Sequence, residues 1–291
     1  MHKTVLEDDF LLKKIFRRLY SFWGDLSKAV QEDDIIPYAH QLTLSLILAF
    51  FPFVMFLFTL VGYFKIDSSL LLDPLKLTLP ESVYAFLAGI ISEVIDHQHG
   101  GLLSLSIILA IYTASGGIRA FMKSSNRITG FQEQRPILLR YVLSIVWVIL
   151  LAVTLVLALL AVVFGRQLIQ VLEKSWPNMS LIPVLNPLRL ILPFSFMAIM
   201  LTLFFMFGPS LRVPFRYALP GAFFTTIVWV VLTLAFQIYV DQFANYSRFY
   251  GTLGALIALL AWLQLLSTVL LLGLEMNAVL MKRHGIDLTD R

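Results

Sequence analysis

Glu275 and Arg119 are the charged side chains that stand hardest against the apolar runs of this sequence. Glu275 follows Val269-Leu270-Leu271-Leu272-Gly273-Leu274 and is trailed by Asn277, and Arg119 follows Ser115-Gly116-Gly117. A charge at hydrocarbon depth is tolerated only when paired or hydrated, so such residues mark either a structural clamp or a site for a polar group. Topology allows the two to face one another. The plainer alternatives are a salt bridge that only braces the bundle, or snorkelling of both side chains toward headgroups. Arg212 and Arg216 offer different chemistry: in Gly208-Pro209-Ser210-Leu211-Arg212-Val213-Pro214-Phe215-Arg216 they form a rigid basic turn, suited to a lipid phosphate or to anchoring on an anionic surface. Arg119, Arg212, Arg216, Glu275 and Asn277 are therefore the candidate substrate-binding residues.

Catalytic chemistry is poorly represented. Hydrolysis of RNA needs a metal cluster or a general acid and base in a wet site. The five histidines, His2, His40, His97, His99 and His284, are dispersed, and only His97 and His99 are close together, in a loop. The chain has no cysteine, which removes disulfides, thiolate metal sites and cysteine nucleophiles. No HExxH, Gly-x-Ser-x-Gly or Gly-rich phosphate loop occurs. No catalytic residue, metal or cofactor is expected, and the chain reads as a non-enzyme.

The elements that must position these side chains are membrane helices. Residues 35–64, 97–118, 141–165, 190–211, 217–240 and 249–274 contain no Asp, Glu, Lys or Arg, and each run is at least 22 residues long. At about 1.5 Å per residue, roughly 20 residues cross a hydrocarbon core of about 30 Å. Composition agrees, with 59% hydrophobic residues and 24 Phe in 291 residues, and a mean hydropathy of +0.84. The expected fold is all-α: a polytopic membrane protein with six transmembrane helices plus two interfacial amphipathic helices. Counted on alternate sides of those spans, 16 of the 22 basic residues fall on one side and 6 on the other. The richer side is expected to be cytoplasmic, with both termini on it. The net charge of +4 then reflects topology, so membrane lipids are the expected partners and nucleic acid is not. Self-association is left open.

Segment 1–36 carries the first amphipathic helix, with Ile15, Phe16, Leu19, Phe22, Trp23 and Leu26 at helical spacing beside Lys13, Lys14, Arg17 and Arg18. It should float on the cytoplasmic headgroups. The six-helix domain spans 37–280, with an external amphipathic helix over 81–95, and 281–291 form a cytoplasmic tail. The first apolar run is much longer than a signal-peptide core, so span one is expected to act as its own insertion signal. Pro52 and Pro193 are expected to kink or interrupt spans one and four. Pro214 and Gly221 should shape the basic turn and the start of span five, and Tyr250, Gly251 and Gly254 the tight external turn before span six.

Arg212-Val213-Pro214, Pro220-Gly221-Ala222, Phe249-Tyr250-Gly251-Thr252-Leu253-Gly254 and Leu271-Leu272-Gly273-Leu274-Glu275, in this order and spacing, resemble the YihY/BrkB family of bacterial inner-membrane proteins. Ala39-His40-Gln41-Leu42-Thr43-Leu44-Ser45 through Pro52 resembles that family's first span. Leu274 departs from the usual Leu-Gly-Ala-Glu ending, which implies bulkier packing beside the Glu. The resemblance implies six helices and an inner-membrane location, and it brings no agreed activity. A ribonuclease BN label attached to some members is not supported by the residues above. Two function classes follow: a transporter or flippase-like protein for an anionic lipid or envelope component, and a non-transporting scaffold supporting envelope integrity. No nucleotide-binding motif is present, so transport would draw on an ion gradient or run passively.

Overall fold

The computed structural model describes residues 17, 20–63, 100–154, 157, 182–242 and 252–286. These residues fold into helices alone: α1 (20–32), α2 (Ile35–Tyr63), α3 (Gly100–Thr129), α4 (137–154), α5 (Ile182–Phe207), α6 (Phe215–Gln242) and α7 (Thr252–Arg283). Four of them are long and apolar enough to cross a membrane, through Ile35–Pro52, Ile137–Thr154, Phe215–Tyr239 and Leu256–Arg283. In α5 the described apolar stretch is the shorter Ile191–Phe207, and α3 carries Arg119, Lys123 and Arg127 along its second half. The expected external helix at 81–95 and the turn residues Tyr250 and Gly251 lie outside the described residues.

The prolines lie within or at the start of continuous helices. Pro52 lies within α2, which runs on to Tyr63, and α5 runs through Pro193 to Phe207. Pro214 immediately precedes α6, and its carbonyl accepts the first-turn N–H groups of Tyr217 and Ala218. At that position the missing proline N–H is one of the donors a helix start leaves free anyway. Gly254 is half-buried in the first turn of α7.

Two helices of this bundle end on glycine for a geometric reason. Gly130 has φ +74° and Gly285 has φ +68°, the left-handed conformation that only glycine adopts without cost. After each, a paired closure is made: Gly130 N–H donates to Arg127 and Phe131 N–H to Asn126, while Gly285 N–H donates to Lys282 and Ile286 N–H to Met281. These bonds use up carbonyls that a helix end would otherwise leave bare.

The helix faces sort by partner. Along α6, Phe223, Ile227, Val231, Leu234 and Ile238 are exposed at helical spacing, a large apolar face turned outward. The opposite face holds Ala218, Ala222, Thr225 and Thr226, all buried. Lipid is as apolar as leucine, so helices in a membrane associate through small residues and hydrogen bonds. Here Thr225 Oγ1 donates to the Val269 carbonyl at 3.5 Å and Trp229 Nε1 to Leu266 at 3.0 Å, pinning α6 on α7. The core gathers between α2, α3, α5, α6 and α7, with Phe121, Phe205, Leu271 and Leu274 fully buried. Stacked Phe121 and Phe204 lie 4.0 Å apart, and Trp147 meets Phe204 edge-on at 5.0 Å.

Candidate functional site

Beyond the last turn of α3 the chain reverses through residues 130–136 into α4, and this hairpin encloses a cavity of about 320 Å³, near the lower bound of about 300 Å³ for ligand pockets. Arg119, Met122, Lys123 and Asn126 line it from α3, one face of a helix at spacings of three and four. Glu133 comes from the connection, and Ile137, Arg140 and Tyr141 from the first turns of α4. Three cationic side chains therefore meet one carboxylate.

Arg119 is held in place. Its Nη1 donates to Ser115 Oγ at 2.6 Å and to Ser144 Oγ at 3.3 Å, and its guanidinium lies 4.2 Å from the centre of the Tyr141 ring. Hydroxyls and an aromatic face orient the cation without neutralising it, and the ring contact contributes about 0.5–2 kcal/mol. Among the described residues no carboxylate pairs with Arg119, Lys123 or Arg140. The Nε of Arg140 is buried with no hydrogen-bond partner among the described residues. The one acid, Glu133, is already occupied: it accepts from Asn126 Nδ2 at 2.9 Å and from the Arg135 backbone at 3.1 Å, and Arg135 Nε stands 3.8 Å away. Positive potential is left over in the cavity.

A second turn locks the floor of this site. Asn126, buried, accepts from the N–H and hydroxyl of Ser210 at 2.7 and 3.0 Å. The one Ser210 hydroxyl proton is shared between Asn126 and the Gln132 carbonyl, also at 3.0 Å, and Arg135 Nη2 donates to the carbonyls of Gly208 and Pro209. Burial lowers the Arg135 guanidinium from its ordinary value while Glu133 opposes the shift; it remains a cation. Gly208 lets this turn lie close against the aromatic core, since a Cβ there would fall 2.7 Å from the Phe121 ring and from the Phe204 carbonyl oxygen.

The residues singled out from sequence separate into three places. Arg119 lines the cavity. Arg212 and Arg216 do not: both are exposed, Arg212 over the Phe207 ring at 5.3 Å and Arg216 bonded to the Tyr217 hydroxyl at 2.8 Å. Asn277 is fully buried between α6 and α7, where its Oδ1 accepts from Gly221 N–H at 2.7 Å and its Nδ2 donates to the Ala218 carbonyl at 3.2 Å. Glu275 is likewise fully buried, and neither of its carboxylate oxygens has a hydrogen-bond partner among the described residues. The pairing of Glu275 with Arg119 that topology allows is not made, because Ser115, Ser144 and Tyr141 take up the guanidinium. Sequence reasoning alone does not single out Lys123, Asn126, Glu133, Arg140, Tyr141 or Ser144 as site residues. The available signal was Arg119-x-x-x-Lys123-x-x-Asn126 on one helix face, followed by Arg140-Tyr141 across a glycine turn.

Residues 26–291 match the family model described as Virulence factor BrkB. The chain belongs to the BrkB family. It is 30% identical over 283 residues to the ribonuclease-like protein YfkH of Bacillus subtilis, covering 94% of this chain and 96% of that one. It is 26% identical over 265 residues to a UPF0761 membrane protein of Haemophilus influenzae, covering 89% and 93%. A UPF0761 membrane protein of Pseudoalteromonas atlantica is 24% identical over 257 residues, covering 86% and 82%. No solved structure matches. Like its BrkB relatives named as membrane proteins, this chain is an integral membrane protein. Among its described residues no three His, Cys, Asp or Glu side chains are grouped so as to hold a metal ion.

Proposed function

We propose that this BrkB-family protein is a transporter or flippase-like protein of the bacterial inner membrane, and that the cavity between α3 and α4 receives the headgroup of an anionic lipid or envelope component. The observation that carries this reading is the oriented, unneutralised Arg119 beside Lys123 and Arg140. Guanidinium groups match phosphate oxygens in fixed, bidentate geometry, and their hydrogen bonds to ionised acceptors are among the strong ones. The cavity suits a headgroup and not a whole lipid. Its rim runs straight onto the outward face of α4, where Ile137 is 66% and Leu138 76% exposed, so acyl chains can stay in the bilayer beside that face. Arg212 and Arg216 then form an outer basic surface on the neighbouring turn.

In this reading all six apolar runs span the membrane, and the excess of 16 basic residues over 6 sets the cavity and both termini in the cytoplasm. Anionic headgroups are richest there. The residues support binding and movement of a lipid, with no part for hydrolysis.

A scaffold without transport is the second reading, favoured by the aromatic plug of Phe121, Phe204 and Trp147, which fills the bundle beside the cavity. Purified protein in liposomes separates the two. Transport predicts faster transbilayer movement of an anionic lipid than in protein-free vesicles, reduced in the Arg119→Ala, Arg140→Ala double variant at unchanged melting temperature. No movement by correctly folded protein, with or without a proton gradient, leaves the scaffold.

A further inference from the structure

Glu275 takes no part in the headgroup cavity. Its helix carries Gln264, Thr268 and Lys282 on the same face, since 11 residues separate Gln264 from Glu275 and 18 separate it from Lys282, close to three and five whole turns. That face looks onto α2. Thr43 Oγ1 donates to Gln264 Oε1 at 2.9 Å and Gln264 Nε2 to Thr268 Oγ1 at 3.3 Å, while Lys282 meets Asp33 at 4.0 Å. A polar seam thus crosses the apolar interface of α2 and α7. Glu275 sits in it, between the amide and hydroxyl network and the acidic turn of Glu32, Asp33 and Asp34.

The charged groups around Glu275 do not hold it as an anion. Asp33 and Glu32 act on it as like charges and Lys282 as an opposite one, and Lys282 is already engaged with Asp33. On α3, Arg127 reaches Asp34 at 4.0 Å and Arg119 is bound by Ser115 and Ser144. On α6, Arg216 is bonded to Tyr217, and on α1, Asp25 is paired with Arg283 at 2.6 Å.

We propose that Glu275 is a proton-binding site set in the seam of α2 and α7, exchanging its proton with water through Asp33 and the turn of residues 32–34. An ionised carboxylate that is fully buried and unpartnered is the costly state, and a proton cancels its charge without the ring of ligands a metal ion needs. Asp33 stands on that path, and burial raises its carboxyl from the ordinary value while Lys282 and Arg127 pull it back. Neither Glu275 oxygen is hydrogen-bonded to Asp33, so the proton leaves bulk water, passes Asp33 and reaches an Oε of Glu275 through water entering the seam. Only O–H bonds form and break. The inference is independent of the headgroup reading.

Infrared difference spectroscopy of the full-length protein in lipid nanodiscs tests it. A protonated-carboxyl stretch is expected at neutral pH, absent from Glu275→Gln, and its exchange with heavy water should slow about tenfold or more in Asp33→Asn. Glu275→Gln is neutral and nearly isosteric, so it should fold with the yield of the parent protein. A spectrum unchanged by Glu275→Gln overturns the proposal, as does a band that appears only when sodium is withdrawn. If Glu275→Gln fails to fold while Glu275→Asp folds without the band, the site requires an anion and the proposal is also overturned.

Discussion

The backbone N–H of Gly221 donates to Oδ1 of Asn277 at 2.7 Å, one residue after Pro220 has removed a donor from the same turn of α6. The approach is so close that a Cβ on Gly221 would fall 2.0 Å from the Gly273 carbonyl oxygen, and one on Gly273 would fall 1.9 Å from Thr225 Oγ1. A side chain from α7 thus bonds the backbone of α6 in the turn where the proline offers no donor.

Alanine at either glycine must push the helices apart. Gly221→Ala and Gly273→Ala should each cost about 3 kcal/mol or more, at or beyond the upper range of core overpacking, seen as a lowered melting temperature in detergent. Gly24→Ala is the control, with nothing within 4 Å of its added Cβ, and should melt at or slightly above the parent temperature.

Asn277 acts on α6 through two bonds, and they can be removed separately. Asn277→Leu strands the Gly221 N–H and the Ala218 carbonyl and should cost about 1–3 kcal/mol. Asn277→Asp retains an acceptor for Gly221 and loses the donor to Ala218, so its melting point should fall between those of the parent protein and the leucine variant.

Binding of anionic lipid should depend on the cavity and only weakly on the outer turn. Arg119→Ala is expected to weaken binding of an anionic lipid about tenfold, the loss of roughly 1.4 kcal/mol. Arg212→Ala with Arg216→Ala should weaken it by about twofold and mainly at low salt, since both side chains are exposed. Arg119→Lys keeps the charge and loses the planar contact with Tyr141, so it should not restore the parent affinity. Native mass spectrometry against lipid concentration gives all three.

Asp33 sets a pH dependence whose sign follows from its burial. Its carboxyl is raised in the folded protein from the ordinary 3.8, so the native state binds more protons there than the unfolded chain. Its contribution is greatest below the unfolded value and is lost as pH rises through the folded one. Asp33→Asn should therefore stabilise the protein at neutral pH, and the gain should vanish near pH 3.8. Thermal melts across that range check it.

The absence of cysteine makes the membrane orientation measurable. Gln134→Cys, on an exposed position of the basic turn, should resist an impermeant maleimide in intact cells, whereas Ser68→Cys and Ser175→Cys should label. Labelling of Gln134→Cys from outside would reverse the proposed orientation.

The apolar runs, their lengths and the crowding of Lys and Arg on alternate loops are readable in one dimension, because the cost of placing charge in hydrocarbon acts on each segment alone. So are the family motifs and the singular positions of Glu275 and Asn277. Which polar residue meets which is not readable, since partners in a membrane bundle are chosen by small residues that let particular helix faces close, as Gly221 and Gly273 do. That choice gave Asn277 to the backbone of α6 and left Glu275 without a hydrogen-bond partner among the described residues. It gave Arg119 to Ser115 on its own helix and to Ser144 and Tyr141 across a glycine turn, where Lys123 and Arg140 complete a basic cavity that forms only when the α3–α4 hairpin closes.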